Sequence, residues 1–297
     1  MKKVGFIGLG IMGKPMAKNL LKEGFDLVVF SRSRGAVEEL VKEKALPANS
    51  PKEVAEQSEI IITMLPDSPE VQEVLLGTEG VIQGVKQGSV VIDMSSINPQ
   101  ITQGIAMSLK ERGVEMLDAP VSGGELGAIK GTLVIMVGGK KEVYDDCMDV
   151  FKAFGKSIVH VGPIGAGGYV KLVNQIIVAL NIATVGEAFS LGVKAGLDPQ
   201  VIYLAIRGGL AGSSVLETKA PMIFRRSFKP GFKIRLHQKD LKNALSTAQD
   251  LGVPLPLTSL VDQIFISLVT DGRGDEDHSA LVTFFEKIAK VEIQSVV

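Results

Sequence analysis

The stretch KKVGFIGLGIMGKPMAKNL, residues 2–20, decides how the chain is to be read. Val4 to Ile7 is a short apolar run of the kind that forms a strand covered on both faces. Three glycines follow, Gly8, Gly10 and Gly13, and the residues after them read as a helix. G-x-G-x-x-G between a strand and a helix has a mechanical meaning: Gly8 permits a tight turn, Gly10 lets a pyrophosphate approach the backbone, and Gly13 lets the helix pack on the strand. The helix N-terminus then faces the phosphate charge. The loop Gly8, Leu9, Gly10, Ile11, Met12, Gly13 is therefore a candidate cradle for a dinucleotide.

Working outward, LVVFS, IIITML, SVVIDMS and VEMLDAP repeat the short apolar run, and SPEVQEVLLG and PQITQGIAMSLKERG between them read as helices. This alternation predicts a parallel sheet with helices on both sides. GTLVIMVGG and KSIVHVG, flanking a helix from Tyr144 to Phe154, are expected to extend the sheet. From Ala166 to Lys194 the chain reads as one helix, roughly 40 Å long at about 1.5 Å per residue, apolar on most of its circumference. Lys171, Asn174, Asn181 and Glu187 interrupt it, so a helix buried between domains or subunits is expected rather than a membrane span. The rest reads as helices separated by loops at RGGLAGSS, FKPGFK and LGVPLPL. The fold class is α/β: a Rossmann-type doubly wound domain over residues 1–163, a long interdomain helix over 164–194 and an all-helical domain over 195–297. So apolar a helix predicts a homo-oligomer, a dimer or a tetramer.

Composition agrees with two packed domains. The chain has 297 residues, 45% hydrophobic and 22% charged, with a formal net charge of -1, which supplies no overall attraction for nucleic acid or an acidic membrane. One cysteine, Cys147, allows no internal disulfide and no cysteine-based metal site, and the opening at Met1 lacks the apolar run of a signal peptide. A cytoplasmic protein without a metal is expected.

The end of the second strand selects the dinucleotide. An NAD site normally carries a carboxylate there for the ribose hydroxyls, about 20 residues after the glycines. This chain reads VVFSRSRG, and Ser31, Arg32, Ser33 and Arg34 offer hydroxyls and guanidinium groups suited to a 2'-phosphate. NADPH is favoured, with NADH possible; the alternative is that the arginines are solvated, Arg32 stacking on adenine.

Two further constellations follow. In LDAPVSGGELGAIKG a strand end delivers Ser122, Gly123 and Gly124, whose backbone N–H groups suit a carboxylate, although a plain strand-to-helix turn reads the same way. In GAGGYVKLVNQ, Lys171, Asn174 and Gln175 stand at i, i+3 and i+4 on one helical face. A lysine on so apolar a helix points to a cleft, or else snorkels at an interface.

These motifs, in this order and over essentially the whole chain, resemble the β-hydroxyacid dehydrogenase family. GFIGLGIMGKPMAKNL is similar to its cofactor signature, DAPVSGG with Gly127, Ala128 and Gly131 to its substrate loop, GAGGYVKLVNQ to its catalytic helix, and KDLKNAL to its late cofactor-side segment. IRGGLAGSSVL, KPGFKIRLHQKDL and DHSAL are most similar to the tartronate semialdehyde reductase branch. Gln175 departs from many relatives, which carry a second asparagine there. The resemblance implies hydride transfer between a nicotinamide and a short carboxylate-bearing aldehyde, with Lys171 giving the proton, Asn174 and Gln175 orienting it and the reacting oxygen, and Ser122, Gly123 and Gly124 holding the carboxylate. It also implies that Met64, Leu65 and Ser95 line the cofactor, and that Phe232, Lys239 and Asp240 close the cleft from the helical domain. Succinic semialdehyde or glyoxylate reduction and 3-hydroxyisobutyrate oxidation are the neighbouring activities. A non-catalytic dinucleotide-binding sensor is the reading from another class, which Lys171 and both amides disfavour.

The remaining features read as structural. His160, His237 and His278 have no metal-ligand spacing, and GRGDEDHSAL reads as a solvated loop capping a helix near Ser279, with Asp277 or His278 near a subunit boundary. The basic run Arg225, Arg226, Lys229, Lys233, Arg235 lacks interleaved stacking aromatics and reads as a solvated face.

Overall fold

The structure, a computed structural model, describes residues 3–295; Met1 and Lys2, part of the opening read above, and the last two residues lie outside the described residues. Strands β1 (Val4–Ile7), β2 (Leu27–Phe30), β3 (Leu46–Pro47), β4 (Ile60–Thr63), β5 (Val90–Asp93) and β6 (Glu115–Asp118) pair in parallel in the order β3-β2-β1-β4-β5-β6. Helices α1 (Gly13–Lys22), α2 (Arg34–Lys42), α3 (Pro51–Glu56), α4 (Ser68–Leu76) and α5 (Pro99–Lys110) make the crossovers. The order reverses between β2-β1 and β4-β5, which puts the crevice for a ligand at the carboxyl ends of β1 and β4.

Alternate residues of each strand feed opposite faces. Val4, Phe6, Ile60 and Ile62 join one apolar cluster, and Ile7, Ile61 and Val91 join the other. Each such buried side chain contributes roughly 1.5–3 kcal/mol, which is why near-continuous apolar runs rather than alternating ones form these strands.

The sheet continues as expected, but not in parallel. After β7 (Val121–Ser122) and α6 (Gly124–Lys130), strand β8 (Leu133–Gly138) runs antiparallel to β6 and β7, and β9 (Gly155–Gly162) runs parallel to β8. β3 and β7, each of two residues, carry too short a pattern to announce themselves in the sequence. The single helix expected from Tyr144 to Phe154 is two, α7 (Lys141–Asp146) and α8 (Met148–Lys152), divided at Cys147, whose N–H is shared between the Val143 and Tyr144 carbonyls.

Helix α9 runs from Ala166 to Lys194 without a break. Packing divides the chain within it: one compact unit ends at Lys171 and the other begins at Leu172. Among the described residues α9 is the one helix long and apolar enough to cross a membrane, and 33% of its most apolar stretch is buried within the single chain. Val173, Ile177 and Leu191 stand exposed. The second unit continues with α10 (Pro199–Ile206), α11 (Ser214–Phe224), α12 (Ile234–Asp250), α13 (Pro256–Thr270), a 3₁₀ turn His278–Leu281 and α14 (Val282–Ala289). Its own core is built on Phe189, Phe224, Ile234, Leu241 and Phe265.

Candidate active site

The first unit gathers at adjacent strand ends the candidate cofactor residues from Gly8 to Ser95; Phe232, Lys239 and Asp240, the other candidates, lie in the second unit. Gly8 has φ +98°, a conformation that favours glycine, and a Cβ there would strike the Met64 carbonyl. A Cβ on Gly13 would collide with the Gly8 carbonyl and crowd Phe6, so Gly13 is fixed by packing of helix on turn. Gly10 is different: a Cβ would meet nothing within 4 Å. Its small size serves no packing need within the chain and leaves room above the loop.

That room faces unspent donors. Among the described residues the N–H groups of Gly10, Ile11 and Met12 have no hydrogen-bond partner, and α1 has no side-chain cap at Met12. Three open N–H groups at a helix N-terminus, beside a glycine with space over it, fit a pyrophosphate. The Leu9 N–H reaches the Ser31 hydroxyl at 3.4 Å, which also accepts from Ser33 N–H at 3.4 Å, so the second strand's end is tied to the glycine loop. Arg32 and Arg34 are exposed, and neither makes an ion pair among the described residues. A cleft of about 670 Å³ opens alongside, lined among others by Leu9, Gly10, Ile11, Lys14 and Ser33.

Met64 and Leu65 leave the end of β4 half-buried, and Leu65 N–H donates to the Ser95 hydroxyl at 2.9 Å. Ser95 donates in turn to Asp93 at 2.6 Å, where Thr63 also donates at 2.8 Å. Ser95 is buried, and its hydroxyl braces the β4 and β5 ends together.

The substrate-loop candidates lie in the same unit. Gly123 (φ +133°) and Gly124 (φ +60°) turn the chain from β7 into α6, and among the described residues their N–H groups have no partner. Lys171 is buried at 6% exposure, and its ammonium donates to the Val121 carbonyl at 2.8 Å. Val121 adjoins Ser122, so the loop and the lysine come together although 46 residues of chain lie between Gly124 and Lys171. The Lys171 side chain is buried rather than exposed at the surface.

Asn174 and Gln175 belong to the second unit and bond to one another. Asn174 Nδ2 donates to Gln175 Oε1 at 2.8 Å, and Gln175 Nε2 donates to Asp240 Oδ2 at 2.5 Å. The Asp240 carboxylate also pairs with the Lys239 ammonium at 2.9 Å. The Gln175 amide is thus spent on Asn174 and α12, which fixes which way the Asn174 amide faces.

Sequence reasoning missed a polar group behind this pair. His237 Nε2 lies 3.1 Å from the Gln175 carbonyl, and His237 Nδ1 lies 2.8 Å from His278 Nδ1. A carbonyl only accepts, so His237 carries its proton on Nε2 and His278 donates across the pair when His237 is neutral. Phe232 packs edge-on against both rings. The histidines are satisfied, as expected, but they are joined rather than scattered, 41 residues apart with no local signal. His160 is satisfied separately, by the Gly139 carbonyl at 2.8 Å.

Asp277 corrects the reading of GRGDEDHSAL as solvated. It is fully buried, caps the 3₁₀ turn through Ser279 N–H, and accepts from Lys219 and from Gly231 and Phe232 N–H. Burial works to raise its pKa, but His278, Lys219 and the Ser279 hydrogen bond outweigh burial and hold it below the ordinary carboxylate range. Such a carboxylate needs a full set of donors to be buried, which the loop supplies. Of the basic run, Arg226 pairs with Glu286, and Lys233 and Arg235 pair with Asp275.

Comparison with known proteins shows the family. Residues 3–162 match the family described as the NAD binding domain of 6-phosphogluconate dehydrogenase, and residues 165–285 match that described as NAD-binding of NADP-dependent 3-hydroxyisobutyrate dehydrogenase. The chain is 46% identical to 2-hydroxy-3-oxopropionate reductase of Escherichia coli strain K12, over 97% of this chain and 98% of the relative. It is 41% identical to 2-(hydroxymethyl)glutarate dehydrogenase of Eubacterium barkeri, over 98% and 97%. Its structure resembles that of Mycobacterium tuberculosis 3-hydroxyisobutyrate dehydrogenase with L-serine, with a TM-score of 0.88 and 30% identity over 96% of this chain and 99% of the other. The two family matches, which together span nearly the whole chain, and the full-length relatives place the chain in the β-hydroxyacid dehydrogenase family, as a nicotinamide-dependent oxidoreductase acting on a CH–OH group.

Proposed function

We propose that the protein is an NADPH-preferring reductase of short, carboxylate-bearing aldehydes, with tartronate semialdehyde, reduced to D-glycerate, as its substrate. The observation that carries this reading is the Lys171 ammonium at the Val121 carbonyl, next to Ser122, Gly123 and Gly124. A proton donor and a loop of open N–H groups stand side by side, as an aldehyde and a carboxylate on one three-carbon acid require. The nicotinamide cofactor, when bound at the glycine loop, supplies the hydride. Ser122 and the N–H groups of Gly123 and Gly124 hold the substrate carboxylate, and Lys171 gives a proton to the aldehyde oxygen as its charge develops. In the oxidation direction the neutral amine takes that proton back. Asn174, held by Gln175, orients the lysine and the reacting oxygen. Phe232, Lys239 and Asp240, all in the helical unit, are proposed as further cofactor-binding residues.

Preference for NADPH rests on Ser31 to Arg34, where exposed guanidinium groups, without ion pairs among the described residues, stand in place of a carboxylate. The NADP-dependent description of the second matched family supports it. The buried, single Cys147 fits a reducing cytoplasm. The exposed apolar residues of α9 are proposed to be covered by further copies of the chain in a dimer or tetramer, which light scattering measures directly. The function is tested with a panel of tartronate, succinic and methylmalonate semialdehydes and glyoxylate, each with NADPH and NADH. The expected result is the highest kcat/KM for tartronate semialdehyde with NADPH. A higher value for another aldehyde overturns the substrate, and equal efficiency with NADH overturns the cofactor preference.

A further inference from the structure

We infer that Asp118 is a positioning residue for the reaction: its carboxylate fixes the start of α9 and so the place where the Lys171 ammonium stands. The inference rests on the reading of Lys171 as proton donor. Asp118 ends β6, in the LDAP run, and is 3% exposed. Its two oxygens are divided between two points on the entry to α9. Oδ1 accepts from Gly165 N–H at 2.7 Å, the residue before the helix, and Oδ2 accepts from Gly168 N–H at 2.7 Å, the third residue within it. These are among the donors that a helix leaves without internal partners, and an anion there also opposes the positive end of the helix dipole.

The neighbouring backbone is shaped around this carboxylate. A Cβ on Gly138 of β8 would run into Asp118 Oδ1, and a Cβ on Gly167 would lie 2.6 Å from the Asp118 carbonyl and 2.9 Å from Oδ2. Larger residues at either position would push the strand and the helix apart.

Lys171 is three residues past Gly168, about 4.5 Å further along the axis. Its ammonium returns to the chain at Val121, three residues after Asp118. One short segment, Asp118 to Val121, therefore holds the lysine twice, at the helix that carries it and at the charged end of its side chain. Any shift in the first attachment moves the second relative to the Ser122 loop. A misplacement of about 1 Å in a reacting group lowers turnover without a matching loss of binding.

The carboxylate's charge state matters to this attachment, since only the ionised form offers both oxygens as acceptors. Burial pushes Asp118 up to about 7, against the Gly168 and Gly165 hydrogen bonds, and Asp93 facing it from β5 adds to the rise. β8 presents Gly138 to it and α9 presents glycines, with Lys171 one turn beyond.

Asp118→Asn tests the inference, because an amide keeps one acceptor and turns a donor toward the other N–H. The expected result is a fall in kcat of at least about tenfold, with the NADPH Kd and the aldehyde KM within about twofold of the unmodified enzyme. The acid limb of the kcat–pH profile, in which kcat rises with pH through about 7, should vanish in the variant. A variant that turns over normally and only melts at a lower temperature overturns the inference and leaves Asp118 a structural cap. Should Asp118→Asn not fold, the unmodified enzyme decides: a kcat that does not rise with pH between about 6 and 8 overturns the inference as well. Lys171→Ala, assayed in parallel, separates the two ideas. If it retains kcat, the reading of Lys171 fails; if it is inactive while Asp118→Asn is normal, only the positioning role fails.

Discussion

The two glycine loops of the first unit look alike in sequence and are built for different tasks. In Gly8–Gly13, two of the three glycines are demanded by the chain itself, Gly8 by its backbone angle and Gly13 by the Gly8 carbonyl, and only Gly10 is small for the sake of something else. In Ser122–Gly124, both glycines adopt positive φ, and the loop's neighbour is a buried ammonium. The first loop offers N–H groups and the helix dipole to a phosphate, a demand shared by every dinucleotide. The second sets N–H groups beside a buried ammonium, an arrangement that the proposed function assigns to a carboxylate-bearing reactant. On the proposed function, binding of the common cofactor and choice of the particular substrate are separated onto two turns of one sheet.

Alanine substitutions sharpen this contrast. Gly13→Ala should have the largest effect, at the top of the ~1–3 kcal/mol range for overpacking or beyond it, because its methyl group would meet a backbone carbonyl that cannot move alone. Denaturant unfolding and NADPH titration should both register it. Gly123→Ala comes next, at roughly 1–3 kcal/mol for an L side chain held at φ +133°, with KM raised for the acid aldehyde and unchanged for its methyl ester. An equal rise in both KM values would show that the loop does not bind the carboxylate. Gly10→Ala should change stability by less than about 0.5 kcal/mol, yet weaken NADPH about tenfold or more. A loss of stability at Gly10 would contradict the open space above it.

The smallest expected effect is a slope against pH. The folded pKa of Asp118, about 7, lies above its ordinary 3.8, so between those values the folded protein holds a proton that the unfolded chain has released. The group's contribution is fully present below about pH 4 and is lost as pH rises through about 7. Subtracting urea-unfolding curves of Asp118→Asn from those of the unmodified protein at several pH values should reveal this slope. Difference curves parallel across that range would show that Asp118 is ionised throughout.

Much of this organisation was legible because it is local. Val4 to Gly13 carries the strand, the turn and the helix start in ten consecutive residues, and Lys171, Asn174 and Gln175 announce one helical face by spacing alone. What escaped was long-range and polar. Asp118 stood within a quoted motif with no assigned role, and the clue available was a carboxylate closing an otherwise apolar strand, which has to find donors when buried. The bond between His237 and His278 joins residues 41 apart and has no pattern in either neighbourhood. Asp277 read as solvated because it sits among charged residues, whereas its donors come from Lys219, Gly231 and Phe232 far along the chain. Gln175 read as orienting the lysine and the reacting oxygen, and the bonds of its amide to Asn174 and, 65 residues on, to Asp240 could not be read from that spacing.

The central claim, that the buried ammonium beside the second loop is the proton donor, is tested most directly by single-turnover reduction of tartronate semialdehyde with Lys171→Ala and Lys171→Arg. The account predicts that Lys171→Ala lowers the rate by a factor on the order of 10²–10⁴ while NADPH binding barely changes, since the glycine loop makes its contacts without the lysine. Lys171→Arg keeps the charge but does not readily release a proton, so aldehyde binding should survive and turnover should not. A Lys171→Ala protein that binds NADPH normally and reduces the aldehyde at a near-normal rate would contradict the account.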